Sequence, residues 1–206
     1  MTIAGNIYGV VLNDSAERAQ LAGQFEDKPY GAPPVAPVVY MKPLASIVHG
    51  PIGVPADTGL VAAATLALLF ARDTGRVDEQ GVDACLGAAA LALDLSIPAA
   101  SYYRPAIAQK NGDGRIALGD FVASRQPAQI RLFADGELLH EWPLDRLVRP
   151  LETLVADLGA FLTLKAGDVL LVGLPGDAPR IRPGQTLRVE ADGFPPLEVA
   201  TKGDAA

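Results

Sequence analysis

Apolar residues recur at helical spacing over one long stretch of this chain. After Pro150, the residues Leu151, Leu154, Val155, Leu158, Phe161 and Leu162 fall three or four apart. That spacing predicts an amphipathic helix with the proline in its first turn. Elsewhere the pattern is mostly that of strands. Gln129 to Phe133 and Glu137 to Trp142 flank Asp135-Gly136, a pair suited to the positive φ angles of a tight hairpin turn. Thr186 to Ala191 and Leu197 to Thr201, on either side of Asp192-Gly193, predict a second hairpin. Val169 to Val172 is a continuous apolar run, as in a central strand buried on both faces. Ile7 to Leu12 and Val38 to Met41 read as short strands.

Other segments are less regular. Ser15 is placed to cap a polar helix running towards Phe25, with Glu17 in its first turn, where a negative charge suits the helix dipole. Pro29, Pro33, Pro34 and Pro37 then impose a stiff extended passage. Asp78 reads as the cap of a helix reaching Ala92. Val61 to Phe70 fits two states: its alanines favour helix, while its length and bounding turns suit a buried strand. The tail from Lys202 is expected to fray. Strands outnumber helices, and hairpins alternate with isolated helices. The expectation is therefore an α+β, mostly β and mostly antiparallel, single domain over 1–206. No GxGxxG or GxxxxGK[ST] motif is present, which argues against a doubly wound nucleotide fold.

Charge narrows the partners. The net charge of −7 opposes a phosphate backbone, so no nucleic-acid partner is expected. A small anionic substrate stays possible if local cations gather it. The single cysteine, Cys85, allows no internal disulfide and reads as a small core residue. The start has no basic front, and the longest apolar run, Val61 to Ala71, is far shorter than the roughly 20 residues of a spanning helix. A cytoplasmic protein without membrane association is expected. His49 and His140 have no acid-base motif around them, and His140 reads as an exposed hairpin residue.

Several motifs, in order, resemble one family. They begin with Lys28-Pro29-Tyr30 and Tyr40-Met41-Lys42-Pro43. Next come Tyr102-Tyr103-Arg104-Pro105 and Lys110-Asn111-Gly112-Asp113-Gly114. Phe161-Leu162-Thr163-Leu164, Ala166-Gly167-Asp168, Val172-Gly173-Leu174-Pro175 and Ile181-Arg182-Pro183-Gly184 follow. Each is weak alone, but their order and spacing over Gly5 to Ala200 resemble the fumarylacetoacetate hydrolase family. Pro195-Pro196-Leu197-Glu198 and Tyr103 to Ile107 are most similar to the N-terminal half of the family's tandem isomerase/decarboxylases of homoprotocatechuate (4-hydroxyphenylacetate) breakdown.

The resemblance implies a mixed β-roll with flanking helices, usually dimeric, acting on 2-oxo or 2-hydroxy-dienoate acids. Active members hold Mg²⁺ or Mn²⁺ with a Glu-x-Glu pair and a later Asp. On a strand, such alternate carboxylates converge on one hard cation. Here the paired positions are Ala63 and Thr65, and only Asp94 remains in kind. This implies that the metal is absent or weakly held in this chain. Val172 and Leu174 replace hydroxyls that contact substrate. Asn13-Asp14-Ser15 stands where active relatives carry Asn-Tyr-x-x-His.

The remaining candidates are Lys110 as the catalytic residue and Arg104, Lys42 and Tyr103 as substrate-binding residues. Each has a plainer alternative. Lys110 can be a solvated loop lysine, Arg104 a structural ion pair ordering the tyrosine turn, and Lys42 an edge-strand lysine. Asp94 can be a turn cap with Ser96. The expected function is a subunit of a 2-hydroxyhepta-2,4-diene-1,7-dioate isomerase / 5-oxopent-3-ene-1,2,5-tricarboxylate decarboxylase. It would work as a homodimer or paired with a second family subunit on a small di- or tricarboxylate. A catalytically silent copy supporting a metal-competent partner, or an acylpyruvate-type hydrolase, are the alternatives.

Overall fold

The computed structural model describes residues 3–28, 30–98 and 107–204. Strand β1 (Ile7–Val11) leads through two short helices, α1 (Ser15–Gln20) and α2 (Ala22–Glu26), to β2 (Val38–Lys42). Then come β3 (Ile52–Val54) and the long pair β4 (Leu60–Phe70) and β5 (Leu86–Ser96). Next are α3 (Ile107–Lys110), β6 (Ile116–Leu118), β7 (Val122–Ala123), β8 (Gln129–Ala134) and β9 (Glu137–Pro143). The helix α4 (Leu151–Gly159), β10 (Val169–Leu171), β11 (Arg180–Ile181), β12 (Thr186–Glu190) and β13 (Leu197–Gly203) follow.

Two sheets result. The larger runs β2-β1-β10-β4-β5-β6, with β11 on β4 and β7 on β5. It is mixed, because β1 and β10 are parallel. The smaller runs β3-β13-β12-β8-β9. The main apolar core joins the two sheets and α4: Leu66, Leu68, Leu91, Leu93, Ile130, Leu132, Trp142, Leu154, Leu158 and Leu187 all belong to it. The larger sheet rolls up. Ile47, just past β2, bridges to Ile116 in β6, and the Val48 amide donates to the Ile116 carbonyl at 2.8 Å. The two ends of the sheet are thereby brought together, and side chains on its concave face meet.

Several expectations hold and others are corrected. The hairpin β8–β9 turns on Asp135 (φ 53°) and Gly136 (φ 86°), the left-handed pair that its sequence calls for. The helix after Pro150 and the buried strand at Val169 are also present. Val61 to Phe70 is a strand. The predicted helix from Asp78 to Ala92 is not. Asp78 caps only a 3₁₀ turn, Glu79–Ala84, and Leu86–Ser96 is a strand paired with β4 along its length. Alanine-rich sequence favours helix, but a slot between strands with both faces buried also selects small side chains, and pairing decides. Asp14, not Ser15, caps α1, its carboxylate accepting from the Glu17 amide at 3.2 Å. The tail does not fray at Lys202: Lys202 pairs with Gly53, and the Asp204 amide donates to the Val54 carbonyl at 3.0 Å. Among the described residues no helix is long and apolar enough to cross a membrane.

Candidate functional site

On the concave face of the roll, strand period two puts Ala63 and Thr65 on one side of β4. The antiparallel register sets Ala63 directly opposite Asp94 and Thr65 opposite Ala92. Asp94 is 1 % exposed, and a buried carboxylate needs partners. It has three. The Tyr40 hydroxyl donates to it at 2.7 Å, Lys42 Nζ lies at 3.3 Å and Lys110 Nζ at 3.4 Å. Tyr40 and Lys42 both come from β2 and, two apart, share a face. Gly9 on β1 is opposite Tyr40. A Cβ there would stand 2.1 Å from the tyrosine ring, so the missing side chain lets the ring lie across β1.

Lys42 is the deepest cation in the centre, 2 % exposed. Besides Asp94, its ammonium donates to the carbonyls of Lys110 (2.6 Å), Arg115 (2.9 Å) and Leu95 (3.3 Å). Burial lowers its pKa from 10.5 to about 8, the Asp94 charge opposing this and Lys110 and Arg115 reinforcing it. The expected edge-strand lysine is thus corrected. β2 is indeed a sheet edge, but the roll turns this side chain inward. Lys110 is likewise not a freely solvated lysine. Its ammonium faces Asp94 and lies 4.7 Å from the centre of the Tyr40 ring. Nor does Asp94 cap a turn with Ser96. Arg104 and Tyr103 lie outside the described residues.

Thr65 is committed elsewhere. Its hydroxyl donates to the Gly173 carbonyl at 2.6 Å. Ala63 packs with Val11, Leu12, Phe25 and Leu174 in a small apolar cluster. The donor set therefore does not fit a divalent ion. Mg²⁺ takes six oxygens, preferably with two or more carboxylates or phosphates. Here one carboxylate is present, and it is already bound to two ammonium groups and a hydroxyl. Among the described residues no three His, Cys, Asp or Glu side chains are grouped to hold a metal. Asp57, Asp113 and Asp120 are exposed, and Asp73 pairs with Lys165. Replacing Thr65 by valine should cost about 1–2 kcal/mol in a urea melt, because the Gly173 carbonyl loses its donor. It should leave divalent-ion affinity unchanged.

A second polar cluster closes the end of α1. Asp14, fully buried, accepts from Arg146 Nε (2.8 Å) and Nη2 (2.6 Å) and from the Gly176 amide (3.0 Å). Arg146 also binds Asp177, which is 3.1 Å from His140 Nε2. Burial pushes the Asp177 carboxyl up, but the Arg146 and His140 hydrogen bonds outweigh it and hold it below the usual range. His140 is therefore a largely covered hydrogen-bond partner of Asp177, its side chain 10 % exposed, and not an exposed hairpin residue. Asn13 ties the same corner to Val172 and Arg149. Sequence reasoning missed Tyr40, Asp14 and Glu17. Glu17 falls four residues after Asn13, where the Asn-Tyr-x-x-His pattern has its histidine. It is 4 % exposed and accepts from the Leu12 amide at 3.0 Å. Leu12 has φ 59°, a left-handed conformation rare for leucine.

Comparison with known proteins agrees with this architecture. Residues 6–201 match the family described as fumarylacetoacetate (FAA) hydrolase C-terminal. The chain is 34 % identical over 198 residues to the 4-hydroxyphenylacetate degradation bifunctional isomerase/decarboxylase of Escherichia coli, covering 94 % of this chain and 46 % of that protein. The chain spans about half the length of that relative. A 5-carboxymethyl-2-hydroxymuconate delta-isomerase from Mycobacterium smegmatis superposes with TM-score 0.82 at 22 % identity, over 100 % of this chain and 81 % of that one. Fumarylpyruvate hydrolase from Pseudomonas aeruginosa, solved with Mn²⁺ and pyruvate, gives 0.81 at 20 % identity, over 98 % and 95 %. At such identities the structures establish the fold. With the family profile covering nearly the whole sequence and the rolled mixed sheet in place, the chain belongs to the fumarylacetoacetate hydrolase family.

Proposed function

We propose that this chain is the metal-free subunit of an isomerase/decarboxylase of 4-hydroxyphenylacetate catabolism. Its substrates would be 2-hydroxyhepta-2,4-diene-1,7-dioate and 5-oxopent-3-ene-1,2,5-tricarboxylate. Divalent-ion chemistry then belongs to a second family member that keeps the Glu-x-Glu pair. The 34 % identity to the bifunctional relative over 94 % of the chain supports the pathway. One observation carries the division of labour: Ala63 faces Asp94 across the strand pair, and Asp94 is already held by two lysines.

The test is an assay of the purified chain with Mg²⁺ on the diene-dioate, alone and after co-expression with a family member carrying Glu-x-Glu. Turnover is expected only in the co-expressed, co-purifying pair. Mg²⁺-dependent turnover by the isolated chain would overturn the assignment. The melting temperature gives an independent check. Adding 1–10 mM EDTA, Mg²⁺ or Mn²⁺ should move it by less than about 1 °C, because only a ligand that binds the native state raises it.

A further inference from the structure

The larger sheet closes into a roll along one thin seam. Ile47 and Ile116 form an isolated bridge, and the Val48 amide donates to the Ile116 carbonyl at 2.8 Å. Among the described residues, that is the only backbone hydrogen bond of segment 48–51. His49, Gly50 and Pro51 are exposed, and a Cβ on Gly50 would meet nothing within 4 Å. Clefts of about 410 and 470 Å³ flank the segment. Ala117 and Leu197 line the first with it, Gly114 and Lys202 the second. With open space on both sides, little packing opposes its displacement.

One residue connects this seam to the end of the chain. The Arg115 carbonyl, just before β6, accepts from the Leu95 amide at 3.0 Å and from the Lys42 ammonium at 2.9 Å. The Arg115 side chain, 10 % exposed, reaches the edge of the smaller sheet. Its Nη1 donates to the Gly53 carbonyl of β3 at 3.2 Å, and its Nη2 lies 3.9 Å from the Asp204 carboxylate. β3 is itself a short edge strand, paired with β13 at Thr201, Lys202 and Gly203. Arg115 thus ties β13 and the residue after it to the groups that line the seam.

The tie is loosely made. Arg115 Nε is buried and, among the described residues, has no hydrogen-bond partner. The Asp204 carboxylate is half exposed and stands beyond hydrogen-bond distance. A buried donor left unpaired costs free energy that water recovers on opening. Opening the seam therefore costs much less than unfolding the chain. We propose that segment 48–51 is a gate in the wall of the roll, latched through Arg115 by the C-terminal strand β13. When the gate opens, Lys42 exchanges the Arg115 carbonyl for water while the β4–β5 ladder stays paired. This device follows from how the roll closes and does not depend on the functional reading above.

Native-state hydrogen exchange of the full chain, followed by NMR from zero to about 1 M urea, tests it. After correction for intrinsic rates, the Val48 amide should exchange about tenfold or more faster than the β4–β5 ladder. Urea should barely change the Val48 rate, because a local opening exposes little surface, whereas the ladder should accelerate steeply. Arg115→Met should speed Val48 exchange about tenfold, the loss of one charge-assisted hydrogen bond, and leave its urea dependence flat. Asp204→Lys, a change at a half-exposed side chain that spares the fold, should speed it about threefold by turning a weak attraction into repulsion. Neither substitution alters the residues flanking Val48, so its intrinsic rate is constant. A Val48 amide that shares the urea slope of the ladder opens only by global unfolding, and the gate would not exist. Val48 exchange that stays at the wild-type rate in Asp204→Lys, or in a folded Arg115→Met chain whose ladder has accelerated, would show that the latch stays shut during opening and would equally overturn the inference.

Discussion

Replacing Lys42 by methionine should destabilise the chain by about 3 kcal/mol, read from the urea midpoint at constant slope. Methionine fills much of the same volume, so little of the loss is cavity. The loss is polar. The carbonyls of Leu95, Lys110 and Arg115 lose a shared donor, and Asp94 loses the nearer of its two ammonium partners. Adding Asp94→Leu to the methionine variant should recover part of the loss, because an apolar replacement of both partners avoids the stranded charge. A double-substitution cycle measures that coupling.

The pH profile has a definite sign. The folded pKa of about 8 lies below the free value of 10.5. Between these values the unfolded chain holds a proton that the native state has released, so Lys42 makes stability rise as pH goes from about 8 towards 10.5. The methionine variant lacks that rise. The gap between the two proteins should widen across the interval, and a constant gap would show that Lys42 titrates normally.

Asp14→Ala should produce a loss of similar size, about 3–4 kcal/mol, by the same principle of a buried charge left without its partner. Arg146 loses two hydrogen bonds, and the amides of Glu17 and Gly176 lose their acceptor. The effect is also local. This carboxylate joins the start of α1 to the turn after Leu174, whose side chain shares a cluster with Ala63. Hydrogen exchange at the Gly176 amide should accelerate far more than at the β4–β5 ladder. Equal acceleration at both would mean that Asp14 acts only on global stability. Asp14→Asn should fall between the two, since the amide can still accept but carries no charge for Arg146.

The centre was only partly legible along the chain. Asp94, Lys42 and Lys110 could be singled out as chemistry-bearing residues, but each had a plausible solvated or capping role. A signal for Tyr40 was present: Tyr40-x-Lys42 alternates on a strand, and a glycine lies in the strand before it. Nothing in that spacing says that β2 returns to β5, because the two are separated by three strands in the sheet order. The helical reading of Asp78 to Ala92 failed for a related reason. Intrinsic preference describes an isolated segment, while the neighbours β4, β6 and β7 impose the pairing.

By itself, then, the sequence determined what depends on nearby residues and on patterning. This includes the Asp135-Gly136 hairpin, the helix after Pro150 and the strand character of Val169 to Val172. Only the tertiary structure decided that Lys42 and Lys110 converge on Asp94 and that Thr65 turns to Gly173. It likewise decided that Asp14 holds the corner around Arg146. These contacts join strands distant in sequence through the rolling of one sheet. Their strength comes from burial, which removes the competing water and is not a property of any residue until the fold has formed.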